Sequence, residues 1–310
     1  MTCIDELRSH ILTTEQLIGR GHSSQSLERA VSTGGLVRLR PGFYVEKPAR
    51  ELTRADRHLI SVLATDAAMD GPVFTHWSAA MVHGLPDWGL PLRKIAVSRH
   101  GQAQRSRTTR LLRHDLCPVS SEEIVEVGGL SVTSPDRTII DIARLCDQPT
   151  GIAVADAGLH GKVVTEESLQ EALDRAAGRN GIKRARASIA KTDALSESVA
   201  ETRSRLYFGE YGLPEPETQV DIFDEHGRFI GRVDFLWREY GVIGECDGFG
   251  KYFDGVDEAE TRRRLGAEKD RDALFTALGY RVIHWRWADF DKPWLLVQRI
   301  REVLRAAARA

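Results

Sequence analysis

Apolar and polar positions change their period several times along the chain. Thr13 or Thr14 followed by Glu15, Gln16, Leu17 and Ile18 predicts a short capped helix, with Gly19 to Gly21 as the turn that ends it. A second helix comes next: His22, Ser23 and Ser24 offer the cap, Leu27, Ala30 and Val31 recur at helical spacing, and Gly34-Gly35 stops it. LVRLRPGFYV then alternates Leu36, Val37 and Leu39 with Arg38 and Arg40, turns at Pro41-Gly42 and resumes at Phe43, Tyr44 and Val45, which reads as a two-stranded hairpin. From residue 51 to about 190 the pattern is mixed, with ADRHLISVLATDAA and THWSAAMVHG as helices and KIAVS and LSVTS as short strands. From Ser196 it becomes a helix (SESVAETRSRLYFGEYG), three strands (QVDIFD, FIGRVDFLW, YGVIGECDG), a long charged helix and a last strand, YRVIHWRW.

The fold class expected is therefore mixed α/β (α+β) in three parts. These are residues 1–48 as a winged helix, 49–195 as a mixed α/β middle domain, and 196–310 in the order α-β-β-β-α-β. A chain of 310 residues exceeds the size at which single cores stop growing, which fits more than one domain. Four scattered cysteines, Cys3, Cys117, Cys146 and Cys246, argue against a disulfide framework and against a cysteine-based zinc site. No stretch approaches the roughly 18 apolar residues of a membrane span, and the acidic N-terminus lacks the apolar core of a signal peptide, so the expected location is the cytoplasm.

The net charge of −2 does not announce a polyanion partner, so a nucleic-acid surface must come from local clustering. Helix, turn, helix and basic hairpin in sequence is the layout of a winged helix, in which the second helix enters the major groove and the wing touches phosphate. Arg29, Arg38 and Arg40 are the expected DNA contacts. A small helical cap with solvated arginines has the same spacing. The run from Arg93 to Arg113 carries Arg105, Arg107 and Arg110 among its cations and no acid between Asp87 and Asp115, which suits a phosphate-contacting surface. GRNGIKRARASIAK is a second basic segment. His76, His83, Asp136, Arg137 and Asp141 are read as structural: Ser134-Pro135 is an ordinary helix start, and Arg137 and Asp141 are spaced to pair on one helix face.

The acids of the last part carry the candidate chemistry. Asp234 and Glu245 sit inside apolar strands, where an unpaired carboxylate is costly to bury, so each needs a metal or a basic partner. Glu245 and Asp247 are two apart and share a strand face. Glu201 approaches from the first helix. Carboxylates of this kind suit Mg²⁺ or Mn²⁺, which polarises a phosphoryl oxygen and lowers the pKa of a bound water. The alternative for the same acids is a salt-bridge network with Arg232, Lys269 and Arg271. The triple Arg262 to Arg264 reads as a solvated helix face, and Trp285, Trp287 and Trp294 as packing or interface residues.

Two resemblances sharpen these expectations. LTTEQLIGRGHSSQSLERAVSTGGLVRLRPGFYV, THWSAAMVHGLP, GLSVTSPDRTIIDIA and VADAGLHGKVVTEESLQEAL resemble the AbiEi family, antitoxins of type IV toxin-antitoxin systems, whose winged helix binds promoter DNA and represses its own operon. SESVAETRSRL, RVDFLW, GECDGFGKY and EKDRDALFTALGYRVIHWRWADF resemble the PD-(D/E)xK endonucleases related to very-short-patch repair. That second resemblance implies double-stranded DNA as substrate, Glu201, Asp234 and Glu245 as metal ligands, and Asp247 and Lys269 as further catalytic residues. The pattern departs where the family places a Lys two residues after the Glu, since Asp247 stands there; Lys269, or Lys251, would have to supply the ammonium. Two functions are compatible with these features: a Mg²⁺-dependent DNA endonuclease, or a non-catalytic repressor and antitoxin with a cognate nucleotidyltransferase-like toxin as partner.

Overall fold

A computed structural model of the chain describes residues 4–46, 52–99, 107–108, 112–114, 119–247 and 258–309. It is mixed α/β and divides into two compact units, Met1–Lys191 and Thr192–Ala310.

The first unit begins with α1 (Ile4–Ser9), β1 (Ile11–Thr13), α2 (Thr14–Gly19), α3 (Ser24–Ser32), β2 (Leu36–Arg40) and β3 (Phe43–Glu46). The helices α2 and α3 both start with a reciprocal cap. Thr13 Oγ1 accepts from Gln16 N while Thr13 N donates to Gln16 Oε1 at 2.8 Å, and Ser23 and Ser26 repeat the arrangement. Gly42, at φ +89°, turns the hairpin. β1 adds to it as a third strand in the order β1-β3-β2, closing a small core of Leu12, Leu17, Leu27, Leu36 and Tyr44. This module is joined by packing to the rest of the unit. Leu7 of α1 is fully buried in the large core shared with α4 (Arg54–Asp66), and the Arg8 guanidinium donates to the carbonyl of Gly128 at 2.8 Å.

The remainder of the unit comprises β4 (Pro72–Phe74), α5 (His76–Val82), β5 (Ile95–Arg99), β6 (Arg107–Thr108), β7 (Leu112–His114), β8 (Ile124–Val127), β9 (Leu130–Thr133), α6 (Pro135–Leu145), α7 (Gln148–His160), α8 (Glu166–Arg175) and α9 (Ile182–Ile189). Its strands form one sheet in the order β6-β7-β5-β4-β9-β8, in which β4 runs parallel to β9 and antiparallel to β5. α6 and α7 approach closely because α7 is built of small residues. A Cβ on Gly158 would come within 2.6 Å of Ile139 Cδ1, and one on Gly151 within 2.9 Å of the Ala143 Cα.

The second unit comprises α10 (Val199–Glu210), β10 (Glu217–Phe223), β11 (Phe229–Trp237), β12 (Val242–Asp247), α11 (Glu258–Ala277), β13 (Arg281–Arg286) and α12 (Pro293–Ala307). The sheet order is β10-β11-β12-β13, antiparallel except for the parallel pair β12 and β13. One face packs on α10 and α12 through Phe208, Phe235, Trp237 and Trp285, with ring centroids 5.2 to 5.7 Å apart about Phe208. Gly244 leaves the space these indoles fill, since a Cβ there would lie 2.7 Å from Trp285. The other face packs on α11 through Val233, Leu236, Ile243 and Phe275.

Candidate nucleic-acid interface and acidic cluster

In the first unit the surface of interest is α3 with the β2-β3 hairpin. Arg29 is exposed on α3 and Arg38 is exposed on β2, and neither forms an ion pair among the described residues. Arg40 is half-buried at the end of β2. Its Nε and Nη1 are shielded from water and find no hydrogen-bond partner among the described residues, and burial pushes the guanidinium pKa down. A buried guanidinium nitrogen without an acceptor is costly, which is consistent with the lowered pKa. Arg20 differs from these three because it is paired with Glu46 at 3.3 Å.

The basic run of the middle region is described only in part: Arg107 falls in β6, while Arg105 and Arg110 lie outside the described residues. Arg113 stacks over the Trp77 ring, 5.2 Å from its centroid. Arg184, from α9, donates to the carbonyl of Cys146 at 2.8 Å. Burial and Asp147 push the Cys146 thiol up to about 11, and the positive charges of Arg113 and Arg184 oppose that rise. Cations from the two basic segments, far apart in sequence, therefore gather at the end of α6.

The histidines and acids read as structural have structural partners. His83 Nε2 meets the carbonyl of Thr133 at 2.7 Å, and burial lowers its pKa. His76 opens α5 in a left-handed backbone conformation, φ +49°, with Nδ1 2.9 Å from Thr75 Oγ1. Arg137, 2% exposed, reaches Asp141 and Glu123, each at 2.6 Å, and Arg144 holds the second oxygen of Asp141 at 2.6 Å. Burial works against the Arg137 charge, but Asp141 and Glu123 more than offset it and hold the group above its ordinary range. Pairing of Arg137 with Asp141 is what their helical spacing predicted; the contribution of Glu123, 14 residues away, carried no local signal.

In the second unit Glu201, Asp234 and Asp247 all lie near Cys246, whose thiol is pushed up to about 12 by burial first and by these three acids in addition. Glu201 is the third residue of α10. It accepts from Ser198 Oγ at 2.7 Å and from the Glu197 amide at 2.9 Å, while Ser198 Oγ caps the helix by accepting from the Glu201 amide. That motif, Ser198 to Glu201, was visible in the sequence as a capping signal. Asp234 accepts from the Cys246 amide at 2.7 Å. Gln219 joins the two: its Nε2 donates to Glu201 Oε2 at 2.8 Å and to Asp234 Oδ1 at 3.3 Å. Burial, and then the charge of Asp234, raise the Glu201 pKa.

Glu245 and Asp247 have cationic neighbours. Arg271 approaches Glu245 Oε1 at 3.3 Å, and Asp247 lies between His284 Nδ1 at 3.9 Å and Arg286 at 3.8 Å. His284 Nε2 also meets Asp272 at 2.9 Å, and the two aspartates, Asp247 foremost, push the imidazole up to about 9. Lys269 is exposed on α11.

Asp234 sits at a local irregularity of β11. Val233 packs with the α11 core and Phe235 with the α10 core, although strict alternation would put both on one face. The strand changes its facing across Asp234. Opposite it, between the registered pairs Thr218 with Phe235 and Val220 with Val233, lies Gln219 at φ +51°, a conformation that costs a non-glycine residue roughly 1–2 kcal/mol. Among the described residues no group of three or more His, Cys, Asp or Glu is arranged to hold a metal ion. Of the three acids read as metal ligands, Glu201 and Asp234 share Gln219 as donor, and Glu245 has the Arg271 guanidinium 3.3 Å from its Oε1.

No helix among the described residues is long and apolar enough to cross a membrane. The chain is 27% identical over 266 residues to two proteins of Mycobacterium tuberculosis, uncharacterized protein Rv2248 of strain H37Rv and uncharacterized protein MT2308 of strain CDC 1551, covering 84% of this chain and 88% of theirs. A crystal structure of the RV2827C protein from the same species aligns with 61% of this chain and 80% of its own, at 19% identity and a TM-score of 0.36. Residues 75–189, from α5 to the end of α9, match the AbiEi antitoxin C-terminal domain.

Proposed function

We propose that this chain is a DNA-binding regulator of the antitoxin type, with the N-terminal module as a winged helix and the matched AbiEi region as the part that engages a cognate toxin. The observation that carries the reading is the α3 and hairpin surface, where Arg29 and Arg38 are exposed with no ion-pair partner among the described residues and Arg40 is half-buried at the end of the same strand as Arg38. The order helix, strand, helix, helix, strand, strand, with β1 closing on β3, supports a winged helix. α3 then enters the major groove while the hairpin arginines meet phosphate. The cations gathered around Cys146 extend the phosphate-contacting surface within the same unit.

The test is a mobility-shift titration of the full chain against its own upstream region over a range of salt. The Arg38→Ala/Arg40→Ala variant should bind more weakly on every sequence and show a log–log salt slope smaller by about 2, one per lost phosphate contact. Unchanged affinity and slope would remove the hairpin from the interface. Toxin engagement is tested by co-purification of the full chain with a nucleotidyltransferase-like protein encoded beside the gene.

The hydrolytic alternative, with Mg²⁺ or Mn²⁺ on Glu201, Asp234 and Glu245, has less support in this geometry, since Arg271 is aimed at Glu245 and Asp247 stands where the nuclease pattern has Lys. Incubation with nicked and intact duplex plus Mg²⁺ or Mn²⁺, beside an Asp234→Ala/Glu245→Ala variant, decides it. Cleavage by the native chain alone would restore the enzyme.

A further inference from the structure

We infer that Gln219 is a built-in substitute for a cation, whose carboxamide closes the Glu201–Asp234 acid pair and turns what resembles a metal site into a joint between α10 and β11. The inference stands apart from the DNA-binding reading, because it concerns only the second unit.

Two buried or half-buried carboxylates brought together repel each other and are poorly solvated, so a proton, a cation or a hydrogen-bond donor must lie between them. In a hydrolase that is a metal ion. Here the positive end of a neutral amide dipole lies there: the two N–H bonds of Gln219 Nε2 point one to each acid, at 2.8 and 3.3 Å. The amide reaches this place only because residue 219 takes a left-handed backbone, φ +51°, and because β11 changes its facing at Asp234. The remaining bonds to the pair point the same way. Glu201 is tied to Ser198 Oγ and the Glu197 amide, and Asp234 to the Cys246 amide, all donors from the protein itself. The third acid of the pattern, Glu245, has the Arg271 guanidinium of α11 3.3 Å from its Oε1. Glu201 and Asp234 are thus each given donors from their own chain.

The probe is Mn²⁺ alone, with the full chain, read by calorimetric titration and by thermal melting at neutral pH. Gln219→Gly removes the amide and suits the backbone conformation, so it should fold. It should bind one Mn²⁺ at least tenfold more tightly than the native chain and gain melting temperature as Mn²⁺ is raised. Asp234→Asn added to Gln219→Gly should abolish that gain. Gln219→Asn, which tolerates the left-handed backbone but is too short to span both acids, repeats the test on a second background. Native protein that binds Mn²⁺ as tightly as Gln219→Gly, through a site that Asp234→Asn destroys, overturns the inference. So does a folded Gln219→Gly chain that gains no Mn²⁺ affinity.

Discussion

Replacing Arg137 by Met tests the ion network under α6. The side chain is 2% exposed and holds Glu123 and Asp141, both at 2.6 Å. Methionine keeps much of the volume and removes the charge, so the loss is electrostatic rather than a cavity. Glu123 then has no cation at the place Arg137 held, and Asp141 keeps only Arg144. Breaking a buried ion pair from one side costs about 3–5 kcal/mol, because an uncompensated charge is left behind. For a unit of this size that is a fall of roughly 6–20 °C in melting temperature. Acid should relieve part of the deficit, since a neutral carboxyl costs less to bury than an ionised one, so the gap between native and variant should be wider at pH 8 than at pH 5. Urea denaturation followed by circular dichroism at both pH values measures it. A loss below about 1 kcal/mol, or one equal at both pH values, would mean that the network is no more than a replaceable filler.

Other outcomes rest on single contacts. Gly158→Ala should cost about 1–3 kcal/mol, because the new methyl meets Ile139 Cδ1 at 2.6 Å in a close-packed helix pair, whereas Gly209→Ala, on an exposed helix position with nothing within 4 Å, should stabilise by about 0.5–1 kcal/mol; thermal melts of the two single variants compare them directly. His284 has a folded pKa raised to about 9 by Asp247 and Asp272, so its contribution to stability is fully present below about 6.5, the unfolded value, and is lost as the pH climbs through 9. His284→Gln should therefore lower stability at pH 6 and converge on the native chain near pH 10, and a variant whose deficit is constant with pH would contradict the assignment.

Local signals in the sequence carried the element order well, and long-range ones not at all. Thr13, Ser23, Gly34 and Gly42 mark helix starts and turns where the structure has them, because each acts on its own few residues. β1 and β4 are three residues each, too short for a period to show, and they matter only through the partners they pair with. In the second unit, Glu245 and Asp247 share a strand face as their spacing requires, and both meet groups on the side of α11 or β13. Asp234 reaches their strand at the Cys246 amide, and the change of facing at Asp234 lies opposite Gln219, whose left-handed backbone no propensity would assign to glutamine. Arginine spacing identified the hairpin surface but could not tell Arg20, which Glu46 neutralises, from Arg38, which has no ion-pair partner among the described residues.

Leu7 of α1, seated in the large core of the first unit, makes that unit mechanically continuous from the hairpin to the matched AbiEi region. Leu39, on the same strand as Arg38 and Arg40, packs against that core as well. A protein bound to the far side that repositions α4 or α6 must therefore strain the lever on which those arginines sit. By thermodynamic reciprocity, DNA held by the arginines would alter the affinity for that protein by the same factor. Under the proposed function, operator occupancy and partner capture would then read each other through the apolar packing of Leu7 and Leu39.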